Sequence, residues 1–322
     1  MSLDMAPEAL EDLRGIEDVP PASTVKAGLA PIQLDDFLAL KIPPRPHLLS
    51  PWLREKSVSM LYAPRGVGKT WTALSVAYAV ASGGSFLRWT APKAAPVMYL
   101  DGEMAAGDLQ HRLAQIVGKT PNPRPADLRV VAADLSEDGL PCLATEAGQK
   151  AVIDALGDSK LVVIDNIATL VRVSKSNEAE SWAPVQNFAL RLRRRGVSTL
   201  FIHHSGKSGD QRGTSAKEDI MDSVVRLTRP DDYDPAEGAR FTVEYTKARG
   251  FYGEDATSFE AKLNAATGEW ETSDPVQGKD ERILDLALDD SLTQREIAER
   301  VGCAVSYVNK VMKAQKYSRS VR

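Results

Sequence analysis

Four stretches of this 322-residue chain place charged or hydroxyl side chains where an apolar run ends. The first is Ala63-Pro64-Arg65-Gly66-Val67-Gly68-Lys69-Thr70, with Trp71 opening the amphipathic segment behind it. A glycine-rich turn between a strand and a helix aims backbone N–H groups and the positive helix end at a polyphosphate. Pro64, Arg65, Gly66, Val67, Gly68, Lys69, Thr70 and Trp71 are therefore the candidate phosphate cradle. In such a cradle Lys69 would reach the β- and γ-phosphates of ATP, and the Thr70 hydroxyl would ligate Mg²⁺. Ala63 stands where the strict pattern begins with glycine, and a small residue still fits.

The second stretch, Leu161-Val162-Val163-Ile164-Asp165, is an apolar run closed by a carboxylate, as expected of an acid that serves Mg²⁺ beside the phosphate loop. Strands also end in Asp as a turn residue, so its meaning depends on the loop. The third is Val97-Met98-Tyr99-Leu100-Asp101-Gly102-Glu103. Glu103 there reads either as a base for water attacking the γ-phosphate or, with Asp101, as a cap for the helix that follows. The fourth, Phe201-Ile202-His203-His204-Ser205-Gly206-Lys207, ends in two adjacent imidazoles. Neighbours in a strand point to opposite faces, so the pair makes a poor metal site. One of them, His203 or His204, is expected to face the nucleotide instead, with His204 preferred.

The surrounding sequence must supply the elements that hold these groups. Ser57–Tyr62, Val97–Asp101, Leu161–Asp165 and Thr199–His203 read as buried strands. Helices are expected near Thr70–Ser82, Asp108–Val117, Glu146–Leu156 and Glu180–Arg195. Such alternation demands crossover connections and a mostly parallel sheet covered on both faces, an α/β fold. After Ser223 the pattern becomes strand upon strand, at Val224–Thr228, Ala239–Lys247, Thr257–Leu263 and Trp270, which predicts an antiparallel extension. Residues 274–279 form a polar linker, and 280–322 contain three short helices, Glu281–Leu288, Thr293–Val301 and Val305–Gln315, a small all-α domain.

Composition narrows the class. Charged residues are 26% and hydrophobic ones 43%, ordinary for a folded soluble protein. The two cysteines cannot build a disulfide framework, and no run approaches the roughly 18 apolar residues of a membrane span. No secretory leader is visible, so a cytoplasmic protein with no membrane partner is expected. The net charge of -4 conceals an asymmetry. Residues 1–40 carry eight acidic side chains against two basic ones, whereas 303–322 carry five basic side chains and no acid. The first reads as a flexible arm with a short helix near Ala9–Arg14, followed by a helix begun at Leu34–Lys41 and broken by Ile42-Pro43-Pro44-Arg45-Pro46. The basic end reads either as a solvated tail or as a local contact for a polyanion.

Taken in order, Gly68-Lys69-Thr70, Glu103, Asp165 and His203-His204 resemble the RecA-like ATPase core. Within it they resemble the plasmid RepA-type hexameric replicative helicases and their DnaB-like relatives, over residues 45–270. The resemblance implies that Glu103 is the catalytic carboxylate and that His203 or His204 couples nucleotide state to DNA loops. It implies that Lys247 and Arg249, in Thr246-Lys247-Ala248-Arg249-Gly250, are supplied to the ATP of a neighbouring subunit. It further implies that the segment carrying Lys207, Arg212 and Lys217 lines a ring channel and grips single-stranded DNA, although such a Gly/Ser-rich stretch also reads as a plain surface turn. Only about 40 residues precede the core, so no separate N-terminal primase-binding domain is expected.

Residues 292–315 resemble a helix-turn-helix, with Thr293 as N-cap, Ile297, Ala298 and Val301 as the buried stripe and Gly302 in the turn. The second helix would present Ser306, Tyr307, Asn309, Lys310 and Lys313 to duplex DNA. The same shape also serves protein docking. The expectation is an oligomeric, hexameric ATP-driven DNA motor of a plasmid, phage or other mobile element. Its rivals are a DNA-binding regulatory ATPase and a replication adaptor that docks a partner protein through the acidic arm at 1–40.

Overall fold

Strands buried on both faces must be apolar at every position, and the uninterrupted runs of this chain become the middle of one sheet. The computed structural model describes residues 30–120, 126–137, 139–171, 178–205, 218–230, 232–264, 266–275, 279–289 and 292–320. It comprises two units, residues 1–44 and 45–322.

In the larger unit, strands β1 (Val58–Ala63), β2 (Val97–Asp101), β3 (Leu128–Ala132), β4 (Leu161–Asp165) and β5 (Ser198–His204) run parallel with β6 (Ser223–Thr228). Strands β7 (Arg240–Ala248), β8 (Phe259–Leu263) and β9 (Trp270–Ser273) add antiparallel pairings. The order across the sheet is β9-β8-β7-β6-β1-β5-β4-β2-β3. This is the α/β class expected, a RecA-like core with a mostly parallel sheet and an antiparallel extension. The expected strands are present with ends shifted by one or two residues, and β3 is an addition. Leu128, Arg129 and Val131 are half-buried and Val130 is exposed, because the strand forms the sheet's edge, and Arg129 interrupts its apolar run.

Alternation along each strand divides the core. Leu61, Val163 and Leu200 belong to one apolar cluster, and Met60, Val162, Ile164 and Phe201 to the other. Helix α1 (Lys69–Ser82) lies in the first layer and is buried on nearly all sides, which its run of Ala, Val and Leu permits. Helix α2 (Ala106–Lys119) contributes Leu109 to the same cluster. Helices α3 (Glu146–Ala155) and α4 (Glu178–Arg194) cover the opposite face with Val152, Val185, Phe188 and Leu192.

An aromatic cluster anchors the antiparallel extension. Trp270 meets Phe241 at 5.3 Å and Phe86 at 5.9 Å, while Trp89 meets Phe259 at 6.0 Å and Trp52 at 5.3 Å. The buried Trp89 indole donates to Tyr245 Oη at 2.7 Å, so its polar edge costs little. Phe86 and Trp89 belong to a short ribbon, Ser85–Phe86 with Trp89–Thr90, that no alternation in the sequence announces.

Helices α5 (Lys279–Leu286), α6 (Gln294–Val301) and α7 (Val305–Ser320) have their own small core of Ile283, Ile297, Ala298, Val301, Val308 and Val311. Thr293 caps α6 in a reciprocal box with Glu296. Ser306, Lys310 and Lys313 are exposed, but Asn309 is half-buried and Tyr307 packs against that core. The expectation that Tyr307 faces outward is therefore corrected: its ring, four residues before the buried Val311, shares the inward face of the helix.

In the smaller unit the helix is Leu34–Ala39, two residues shorter than expected, and the short helix expected near Ala9–Arg14 lies outside the described residues. Among the described residues no helix is long and apolar enough to cross a membrane.

Candidate active site

All parallel strands deliver their C-terminal ends to one edge of a sheet, where open α/β folds bind ligands. Here Ala63, Asp101, Asp165 and His204 end four such strands. Register fixes their neighbours, since Asp101 pairs with Asp165, Asp165 with Ile202, and Ala63 with His204.

The loop after β1 forms a cleft of about 550 Å³ lined by Arg65 to Trp71 together with Glu103, Asp165, His204, Arg229 and Arg112. Gly66 and Gly68 have φ of +78° and +117°, backbone that only glycine adopts without strain and that lets the loop curl over an anion. Lys69 is 6% exposed, and its Nζ donates to Pro64 O at 3.0 Å, bending back over the loop. Burial lowers its pKa, while the charges of Asp165 and Glu103 oppose that shift.

Asp165 is 2% exposed and accepts a 2.7 Å hydrogen bond from Tyr99 Oη. Burial pushes its carboxyl up to about 6 despite hydrogen bonds from Tyr99 and Thr70, and the nearby charges of Asp101 and Glu103 add to the rise. Asp101 Oδ1 accepts from the backbone N–H groups of Glu103 at 3.0 Å and Met104 at 2.7 Å. Its Oδ2 is buried without a hydrogen-bond partner among the described residues. A Thr hydroxyl beside two buried carboxylates, one with an orphaned oxygen, suits a small hard cation. Thr70 and Asp165 would hold Mg²⁺, which when bound neutralises charge on the phosphate oxygens.

Glu103 is half-exposed, and two side chains approach one of its oxygens. Asn166 Nδ2 donates to Glu103 Oε2, and His204 Nε2 lies 3.4 Å from the same oxygen. Burial and the Lys69 charge lower the His204 pKa below its ordinary value, against the pull of Glu103, so the ring is neutral at pH 7. His203 is 6% exposed and pairs with Tyr62, whose side chain lies in the other core layer, so His204 is the imidazole in the cleft.

Lys247 and Arg249 lie elsewhere. Lys247 pairs with Val224, which pairs with Met60, near the start of β1 and not at its phosphate-loop end. From Met60 to Ala63 the strand spans roughly 10 Å at about 3.3 Å per residue. Lys247 Nζ donates to the carbonyls of Glu218 and, at 3.4 Å, Asp219, while Arg249 is exposed. Lys207, Arg212 and Lys217 lie outside the described residues.

Sequence reasoning missed several contributors. Arg229 donates to Gly66 O at 3.0 Å and stacks on Tyr233 at 4.5 Å, and Arg112 stacks on Trp71 at 5.7 Å. They come from segments with no motif, and only the sheet order brings them to the loop. Arg240 also lines the cleft, but Glu260, Glu237 and Asp232 already pair with it. Asn166 had a readable signal: Asn-x-x-Thr after a strand is an N-cap pattern, and Asn166 caps Ile167–Leu170.

Close backbone approach positions the Glu103 turn. Gly102 N donates to Asp165 O at 2.8 Å, and a Cβ at Gly102 would lie 2.6 Å from Thr169 Oγ1 and 3.2 Å from Leu170 Cγ. Gly102→Ala is expected to destabilise the fold by about 1–3 kcal/mol, the scale of overpacking a well-filled site. Denaturant unfolding measures it, and an unchanged midpoint would show that the turn yields freely.

Residues 22–210, more than half of the chain, match the AAA domain family. A KaiC-like protein of the hyperthermophilic archaeon Pyrococcus horikoshii OT3 is similar in structure, with a TM-score of 0.50 and 15% identity over 71% of this chain and 99% of its own. That likeness concerns the fold alone. A search of curated protein sequences finds no match. With the phosphate cradle, the buried acid and the family match in hand, the chain belongs to the AAA domain family and is a P-loop ATPase of RecA-like fold.

Proposed function

We propose that this ATPase is an oligomeric, hexameric DNA motor of the replicative-helicase type, serving a plasmid, phage or other mobile element. ATP is held by the loop from Pro64 to Trp71, with Lys69 at its β- and γ-phosphates, and Glu103 takes a proton from the attacking water.

The observation that carries the reading is the position of Lys247 and Arg249. They sit toward the far end of the strands from their own phosphate loop, which supports their being supplied to the ATP of a neighbouring copy. Lys247 also touches the carbonyls of Glu218 and Asp219, directly after the stretch 206–217 that carries all three proposed DNA-channel cations, Lys207, Arg212 and Lys217. The neighbour's site and the DNA segment thus share one lever.

The test is the ATPase rate of the purified protein alone, with single-stranded DNA and with duplex, using Lys69→Ala as the blank. At least tenfold stimulation by single strands is expected, about 1.4 kcal/mol off the barrier. A rate indifferent to single strands overturns the motor.

The exposed Ser306, Lys310 and Lys313 on α7 favour a second reading, a regulatory ATPase that binds duplex DNA through 280–322. Duplex binding without unwinding, lost on deleting residues 279–322, would select it.

A further inference from the structure

Asn166 is 1% exposed, and its carboxamide is engaged at both ends. Oδ1 accepts from Thr169 N at 3.2 Å, and Thr169 Oγ1 donates back to Asn166 O at 3.0 Å, which closes the cap of Ile167–Leu170. With the oxygen so occupied, the amide nitrogen must face the cleft. There it donates to Glu103 Oε2 and lies 3.2 Å from His204 Nε2. An amide nitrogen carries two hydrogens, one for each partner, provided the His204 ring bears its proton on Nδ1.

We infer that Asn166 is a positioning residue that fixes the Glu103 carboxylate by one oxygen and ties it to His204. The amide's donated bond falls on Oε2, which leaves Oε1 as the oxygen placed to take a proton from water. The capped turn supplies the rigidity, because the Asp101-Gly102-Glu103 turn rests directly on Thr169 and Leu170. A shift of His204 at the end of β5 is thereby felt at Glu103 through one amide. The inference deepens the hydrolytic reading and rests on Glu103 being the base.

The test compares Asn166→Asp, Asn166→Ser and Asn166→Ala in the full chain, measuring kcat, ATP affinity with Mg²⁺ and melting temperature. Asp and Ser both cap helices well, so a residue that only capped would tolerate either. Asp cannot donate to Glu103, and Ser is too short to reach both partners while adding no charge beside Asp165. Ser is expected to keep wild-type melting and ATP affinity while kcat falls about a hundredfold, the loss typical of a misplaced reacting group, and Asp is expected to lose the same kcat with a lower melting temperature from its added buried charge. Asn166→Ala is expected to lose the same kcat and also to melt lower.

Wild-type turnover by the Ser variant overturns the inference, as does a kcat loss matched by an equal loss of ATP affinity. Glu103→Gln separates the two levels. If it is inactive while the Asn166 variants turn over normally, only the positioning role falls; if it hydrolyses normally, the assignment of the base falls first.

Discussion

Glu103→Gln is expected to bind ATP as the unaltered protein does and to hydrolyse it about 10²–10⁴-fold more slowly, the range a general base supplies. At the middle of that range the barrier rises by about 4 kcal/mol. The amide keeps the shape of the carboxylate and can still meet Asn166 and His204, so the cleft should remain formed. What disappears is a proton acceptor. Single-turnover hydrolysis measures the chemical step, and equilibrium binding of a fluorescent ATP analogue measures the retained affinity. Hydrolysis at the normal rate would remove Glu103 from its role. The competing acid in the same turn is Asp101, but both of its backbone contacts are to Oδ1 and its side chain is fully buried. It shapes the turn and is poorly placed to receive water.

Arg249→Ala carries the other large effect. An arginine brought to transition-state charge is worth about 10³–10⁵ in rate, and a loss on that scale is expected. A loss alone would leave open whether Arg249 acts in its own subunit, so the decisive measurement mixes two inactive variants. In a mixed oligomer, an Arg249→Ala chain keeps its own Glu103 and can receive Arg249 from a Glu103→Gln neighbour. Activity should return on mixing and fade on dilution, as contacts between copies are lost. Failure of the mixture to recover, with assembly intact, would place Arg249 outside the neighbour's site. The exposed position of Arg249 beside Gly250, away from its own phosphate loop, is what makes recovery the expected result.

Much of the architecture is legible because burial on two faces leaves a strong mark. β1, β2 and β4 are buried throughout and almost wholly apolar, and their ends can be read to within a residue. β3 is half-exposed at the sheet edge and reads as ordinary mixed sequence. The Ser85–Phe86 and Trp89–Thr90 ribbon is too short for periodicity to register and is held by aromatic packing against Trp52, Phe259 and Trp270. In the three C-terminal helices the Thr293–Glu296 cap is visible in four consecutive residues. The inward turn of Tyr307 is not, because it depends on where three helices meet.

The same division runs through the site. The phosphate loop is local: its glycines, Lys69 and Thr70 lie within five residues of one another, and their backbone geometry follows from residue type. The sequence by itself therefore outlined the cradle and the acid at the end of β4, and offered Glu103 as either a base or a helix cap. It could not choose between His203 and His204, because that depends on which face of β5 meets β1. For Asn166 it offered only an N-cap pattern, with no sign of the contact with Glu103, and it was silent on Arg229. Asn166 lies 63 residues from Glu103 and 38 from His204, and Arg229 lies 163 from Gly66. Contacts over such separations are set by strand order and register, through the pairing of Asp101 with Asp165 and of Asp165 with Ile202. Tertiary structure alone decided them, because the energy that selects a register comes from whole apolar faces and not from the few polar groups it happens to bring together.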